Sequence, residues 1–374
     1  MIRVLHVIAT LDRAGSEKQL VDLCRKLDRS RFQPAVCCLT RGGPFAADLR
    51  RAGVPLHLLN KRGRWDLRVI WRARRLIREF EPHIVHTWLP TANTLGRVAA
   101  LAAGGVPVLI ASERSKDAWK GAARLIADRI LAKRTTRLVT NAEAVRDFLV
   151  NEIELPKEKI RVIRNGLDLA EFDAAAARGP SEALPDPEGC MVVGTVGRLE
   201  RQKGMMDLLA AFALLPSDLQ DAKLWIVGDG PLKRELQRQA AETGMTERVR
   251  FLGVRSDVPA LMRRFDLFAL SSLWEGLPNV ALEAMAARRA VVATKVDGTP
   301  EAVTHGWTGM LVPPSNPGVL AQAIERLLRD AELRRKYGEA GRQKVEQRFG
   351  LDRMVTETQE MYREALAEAG IRDR

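Results

Sequence analysis

Short runs rich in β-branched residues alternate with helix-patterned stretches twice over in this chain, and no other feature restricts the fold so tightly. "RVLHVI", "PAVCCLT", "HIVHTW", "VLIASE" and "RLVTNA" form the first series; "MVVGTVG", "KLWIVGDG", "VRFLG", "DLFALSS", "AVVATKV" and "GMLVPP" form the second. Alternation of this kind builds βαβ units and a mostly parallel sheet. Between the series, residues 173–189 mix small residues, Pro and Gly with neither period and read as a linker. The expectation is therefore an α/β chain of two doubly wound domains, 1–172 and 190–350. The last stretch, 351–374, reads as a charged amphipathic helix with no strand after it, packing back toward the N-terminal domain. A length of 374 residues fits this division, because single cores stop growing below that size.

Charge separates the halves. Residues 1–170 carry 32 Lys and Arg against 17 Asp and Glu, a surplus of +15, while the remainder carries 28 against 30. The surplus concentrates in 61–80 and 114–137, both with helical apolar spacing and both containing tryptophan. Basic amphipathic helices suit an anionic membrane surface; they are also compatible with plain solvated faces. No aromatic RNA-binding strand, helix-turn-helix signal or zinc finger accompanies them, so nucleic acid is not an expected partner. Cys24, Cys37, Cys38 and Cys190 show neither a CxxC pair nor zinc-site spacing, which predicts buried reduced thiols. "MIRVLHVIAT" is too short an apolar stretch for a secretory leader, and no segment reaches the ~18 apolar residues of a membrane span. A cytoplasmic protein, peripheral on the inner membrane face, is the resulting expectation.

In doubly wound sheets ligands bind beyond the carboxyl ends of strands, so the loops there are where chemistry is sought. "RLERQKG" follows "MVVGTVG" and places Arg198 and Lys203 in a glycine-bounded loop, where a guanidinium and an ammonium are able to clamp a diphosphate. An ordinary exposed basic loop has the same composition, and no GxxxxGK[ST] or GxGxxG pattern accompanies it. In "SSLWEGLPNVALEAMA" Gly276 and Pro278 break an apolar run, and Pro favours the first turn, so a helix is predicted to begin near Pro278. Glu275 then stands in the loop, the amides of Asn279, Val280 and Ala281 offer an anion site, and Glu283 lies on the same helical face. Dipole compensation alone also explains Glu283.

"GRLERQKG", "IVGDGPLKREL", "FLGVRSDVPALM", "SSLWEGLPNVALEAMA" and "VVATKVDGTPEAV…GWTGMLVPP", in that order, resemble the carboxyl-terminal half of retaining GT-B glycosyltransferases of family 4, the group 1 glycosyltransferases. "AGSEKQLVDL" and "PHIVHTWLPTANTLGRVAAL" resemble the same family's amino-terminal half. The resemblance implies two Rossmann-like domains facing across a cleft, the first binding the acceptor and the second a nucleotide-sugar donor, a UDP-sugar. It implies that Arg198 and Lys203 hold the donor diphosphate, that Glu283 binds ribose, and that Glu275 with Leu277, Pro278, Asn279 and Val280 meets sugar and phosphates. Gly253, Val254 and Arg255 would back the nucleobase. Gly197 and Gly228 line the same strand ends, and Gly15 would let an amino-terminal loop approach the donor closely. Two departures stand out. Glu113 and Arg114 occupy the place where many relatives carry a histidine, and Ala14-Gly15 replaces a double glycine.

The family's chemistry implies transfer with retention through an oxocarbenium-like state, with no cofactor and no metal, because two cations and helix-start amides stabilise the departing diphosphate. A lipid-linked or cell-envelope glycan acceptor is expected. A sugar-nucleotide epimerase or hydrolase on the same architecture, or a silent binding protein, remain the alternatives.

Overall fold

The computed structural model describes residues 1–63, 65–116, 122–184, 187 and 189–371. They divide into two compact units, one of residues 1–166 with 351–374 and one of residues 167–350.

The first unit is a seven-stranded parallel sheet: β1 (Ile2–Ile8), β2 (Phe32–Cys38), β3 (Leu56–Leu58), β4 (Ile84–Trp88), β5 (Val108–Glu113), β6 (Arg137–Thr140) and β7 (Ile160–Val162), ordered β3-β2-β1-β4-β5-β6-β7. Both faces are covered, as a parallel sheet requires. Along β1, Val4 and Ile8 point into a core that includes Leu20, Ile84 and Ile110, whereas Leu5 and Val7 point into one with Val69, Ala73 and Val85. That is the two-residue strand period expressed as two separate cores. Helix Leu351–Glu368 closes the first of these with Leu351, Met354, Val355, Met361, Tyr362, Ala365 and Leu366. The three-and-four spacing of these residues is why the last segment is helical and needs no strand of its own. Cys24, Cys37 and Cys38 are buried thiols as expected, whereas Cys190, just before the second unit's first strand, is only half-buried.

The second unit is a six-stranded parallel sheet of β8 (Val192–Val196), β9 (Lys223–Val227), β10 (Val249–Gly253), β11 (Leu267–Leu270), β12 (Ala290–Thr294) and β13 (Gly309–Val312), ordered β10-β9-β8-β11-β12-β13. In both sheets the winding direction reverses beside the first strand, between β1 and β4 and between β8 and β11.

Three expectations are corrected. Residues 173–177, read as linker, complete helix Leu169–Ala177, whose Asp168 cap accepts from the Glu171 N–H at 3.0 Å. The alanines of "DAAAA" are strong helix formers, and only Phe172 and Ala176 are buried, too few to display a period. Arg342 grips Asp173 through two bonds of 2.8 and 2.7 Å, and the helix packs on Val258–Met262, so the chain joins the second unit at Leu167. The basic stretch 61–80 is helical only from Arg68 to Phe80. Of 114–137, the helix Ala122–Lys133 is described, and the tryptophan at 119 lies outside the described residues.

Candidate active site

At the carboxyl end of the second sheet, β8 and β9 run directly into Gly197 and Gly228, and β10 ends in Gly253. Gly197 N–H donates to the Val227 carbonyl at 2.9 Å and Gly228 N–H to the Gly253 carbonyl at 2.7 Å. Gly228 has φ +135°, and a Cβ there would stand 1.9 Å from the Gly197 carbonyl oxygen, so no other residue fits. The Val254 side chain is exposed beyond this edge. The Arg255 side chain is buried in ion pairs with Asp257 (2.7 Å) and Glu182 (2.6 Å), leaving backbone and the Val254 side chain as what Gly253 to Arg255 present.

Arg198 and Lys203 follow β8 on a loop closed by a 3₁₀ turn, Arg201–Lys203. Gly204 ends that turn in the left-handed region, φ +56°, where a Cβ would strike the Ser271 carbonyl. The turn is laced to the segment after β11: Leu273 N–H donates to the Gln202 carbonyl at 2.7 Å, Gln202 Nε2 to the Trp274 carbonyl at 3.0 Å, and Ser271 Oγ to the Lys203 carbonyl at 2.9 Å. This places the Lys203 ammonium 2.5 Å from Glu275 Oε1 across the point where the strand order reverses. The Glu275 carboxylate is buried and also accepts from Ser272 Oγ at 2.7 Å, while Asp297 Oδ2 accepts from the Glu275 N–H at 2.9 Å. Arg198, its side chain 66 % exposed, pairs at 2.5 Å with Glu200.

The break at Gly276–Pro278 starts helix Asn279–Ala286, as expected. One amide differs from expectation: Ala281 N–H donates to the Pro278 carbonyl at 3.1 Å, because the first turn tightens around the proline. Val280 N–H has no acceptor among the described residues. Leu277 and Pro278 are buried, whereas Asn279, Val280 and Glu283 are half-buried on the helix start. Ser272, Gln202 and Asp297 escaped the sequence reading; only the positive φ of Asp297, +41°, marks it, and no residue spacing does. Gly15 stands in the first unit, opening helix Gly15–Lys26. Chemically the site offers two cations, an uncommitted amide and two carboxylates around a switch point, an arrangement suited to a polyanion bearing hydroxyls.

Two parallel doubly wound units with such a switch-point site define the GT-B class. Of solved structures, Anabaena HepE in complex with UDP-glucose aligns with a TM-score of 0.83 at 23% identity, covering 96% of this chain and 99% of that one. Sucrose-phosphate synthase from Thermosynechococcus elongatus aligns at 0.82 and 20% identity over 98% of this chain and 100% of that one. In sequence, residues 13–171 match the model of Glycosyltransferase Family 4 and residues 181–344 that of Glycosyl transferases group 1. D-inositol 3-phosphate glycosyltransferase of Salinispora arenicola is 32% identical over 90% of this chain and 75% of its own length. A UDP-Gal:alpha-D-GlcNAc-diphosphoundecaprenol alpha-1,3-galactosyltransferase of Escherichia coli is 28% identical over 79% of each. The chain belongs to glycosyltransferase family 4, the group 1 glycosyltransferases.

Proposed function

We propose that this glycosyltransferase moves a hexose from a UDP-sugar to a lipid-linked or cell-envelope glycan acceptor, with retention of anomeric configuration and without a metal ion. The observation that carries the reading is the Lys203–Glu275 pair set between β8 and β11, with Arg198 beside it. Without donor, Glu275 neutralises Lys203. A diphosphate would take over the ammonium and accept from the Arg198 guanidinium and the Val280 amide, releasing the Glu275 carboxylate to accept from a sugar hydroxyl. Charge that grows on the departing diphosphate is then met by groups already in place, which is where such sites gain most of their rate. Glu283, on the adjacent helix start, would accept from ribose hydroxyls. The two named relatives that act on a phosphorylated polyol and on a diphosphoundecaprenol-linked sugar support anionic or lipid-borne acceptors. No helix among the described residues is long and apolar enough to cross a membrane.

The test is incubation with a panel of UDP-sugars and acceptors. UDP release that requires acceptor, with an α-linked product from an α-linked donor, is expected; epimer formation or acceptor-independent hydrolysis would overturn the reading. Glu283→Gln should weaken binding of UDP itself, whereas Glu275→Gln should spare UDP and impair use of the UDP-sugar. Equal loss of UDP affinity in both would misplace Glu275.

A further inference from the structure

The first unit buries a guanidinium that no carboxylate among the described residues neutralises. Arg114 follows β5 and is only 8% exposed. Its Cζ lies 4.4 Å from the centre of the Trp88 ring, and Trp88 in turn stacks on His86 at 4.7 Å. Its single hydrogen bond runs from Nη1 to Asn165 Oδ1, 3.2 Å away; Nε is buried without an acceptor, and no carboxylate pairs with it among the described residues. Burial without a counter-charge pushes its pKa down to about 10, so the group is charged at neutral pH in a place that penalises charge.

The surroundings are built rather than incidental. The register pairs Glu113 with Thr140, so Arg114 and Asn141 are the first residues beyond the paired carboxyl ends of β5 and β6. Asn141 is buried and its Oδ1 has no donor. Asn165, also buried, sits on the loop after β7, and that loop is pinned by Gln19, whose Nε2 donates to the Gly166 carbonyl while its Oε1 accepts from the Gly166 N–H, both at 2.8 Å. Beneath, His86 is bonded to Tyr362 (2.6 Å) and Ser112 (2.8 Å). Thus a cation and an acceptor, neither with a charged or donor partner among the described residues, follow the paired ends of two neighbouring strands, where doubly wound sheets bind ligands. An arrangement that violates the pairing of buried polar groups at such a place marks a function.

The geometry points to an oxyanion site: the Arg114 fork clasps a phosphate or carboxylate on the hydroxylated acceptor, and Asn141 Oδ1 accepts from one of that acceptor's hydroxyls. This rests on the reading that the first unit holds the acceptor, and it names the acceptor's chemistry: an anionic group with a hydroxyl a few bonds away. A planar guanidinium with free N–H groups suits bidentate oxyanion binding, and the Trp88 face behind it keeps the fork in one orientation.

The site is tested by calorimetry on the full chain carrying Arg198→Ala and Lys203→Ala, which removes the other cations proposed to hold phosphate and makes the outcome independent of donor chemistry. The probes are sn-glycerol 3-phosphate, glycerate, inorganic phosphate and glycerol. At least one anion should bind while glycerol does not, and phosphate against glycerate decides which oxyanion is preferred. Arg114→Gln should weaken the bound anion by about tenfold or more, the scale of a hydrogen bond to a charged group, with Arg114→Lys retaining part of the affinity. Asn141→Leu should weaken sn-glycerol 3-phosphate several-fold and leave inorganic phosphate unchanged. No anion binding, or sn-glycerol 3-phosphate affinity unchanged in both Arg114→Gln and Asn141→Leu, overturns the site. Anion binding that depends on Arg114, together with no sugar transfer by the chain that retains Arg198 and Lys203, would instead overturn the transferase reading while the site stands.

Discussion

Lys203 and Glu275 are 72 residues apart in sequence yet share a 2.5 Å ion pair, and each gains its role from what surrounds it. Lys203 is presented by a turn that only Gly204 permits, and Glu275 is held by Ser272 and Asp297, so neither side chain has to be ordered when substrate arrives. Replacing Arg198 or Lys203 with Ala should therefore lower kcat by about 10²-fold or more, the loss typical of one missing oxyanion donor. Steady-state kinetics with saturating donor checks this, and near-wild-type turnover in both variants would remove them from the mechanism. A second residue-scale prediction concerns acid. His6 and His86 are fully buried, and desolvation holds the His6 pKa at about 3 and that of His86 well below the ordinary value. The unfolded chain binds these protons near pH 6.5 and the folded chain does not, so stability present above that value is lost as the pH falls. Each histidine contributes a slope of about 1.4 kcal/mol per pH unit, for His6 down to about pH 3. Denaturant midpoints of the first unit at pH 7 and pH 5 should differ accordingly, and His6→Asn should reduce the difference; an unchanged slope would show that His6 is not its source.

Helix Arg68–Phe80 shows how far an element's sequence discloses its use. Val69, Ala73 and Ile77 are buried and the helix packs on Leu89–Ala103, which accounts for its apolar period. The opposite face exposes Arg68, Trp71 and Arg75, Arg78 being held through Nε by the Ala103 carbonyl at 3.1 Å, and the preceding loop exposes Trp65 and Leu67; Trp65 is 82% and Trp71 66% exposed. Arg72 is less available than its position suggests, since it is paired with Asp66. Two exposed indoles among arginines are the chemistry of a lipid interface, where the rings settle at headgroup depth and each nearby cation adds about 1 kcal/mol. Vesicles containing anionic lipid should bind the protein, neutral vesicles should not, and Trp65→Ala with Trp71→Ala should weaken binding without altering UDP affinity. Equal partitioning onto both vesicle types would leave the face a solvated surface. Eleven of the thirteen strands were legible because they are short, mostly apolar runs bounded by helical stretches or turns. β3 and β7 were not: each has three residues, lies at a sheet edge and is half exposed, so neither length nor pattern sets it apart from a loop. In the site, Arg198, Lys203, Glu275 and Glu283 could be found because charged residues at strand ends are conspicuous. Ser272, Gln202 and Asp297 could not, since their bonds join segments that only the sheet order brings together.

At the scale of the molecule, the chain leaves the first unit at Gly166 and returns to it at Leu351. The returning helix closes a core and supplies Tyr362 to His86, so a chain ending at residue 350 exposes the face that Leu351, Met354, Val355, Met361 and Leu366 cover. Each such burial that is lost forfeits about 1.5–3 kcal/mol, a total comparable with the whole stability of a domain. A 1–350 truncation should lose the near-ultraviolet signal of the first unit while residues 167–350 retain UDP binding; a fully folded, soluble 1–350 protein would show that the helix is dispensable.

The same return of the chain sets an order of events during synthesis. Residues 167–350 leave the ribosome as one uninterrupted piece and are able to fold as soon as they are out. The first unit, though made earlier, waits for the last helix, on the order of 10–40 s at ordinary elongation rates. Through that interval its uncovered apolar face is presented to the cell, which makes the amino-terminal half, translated first and completed last, the natural client of a chaperone.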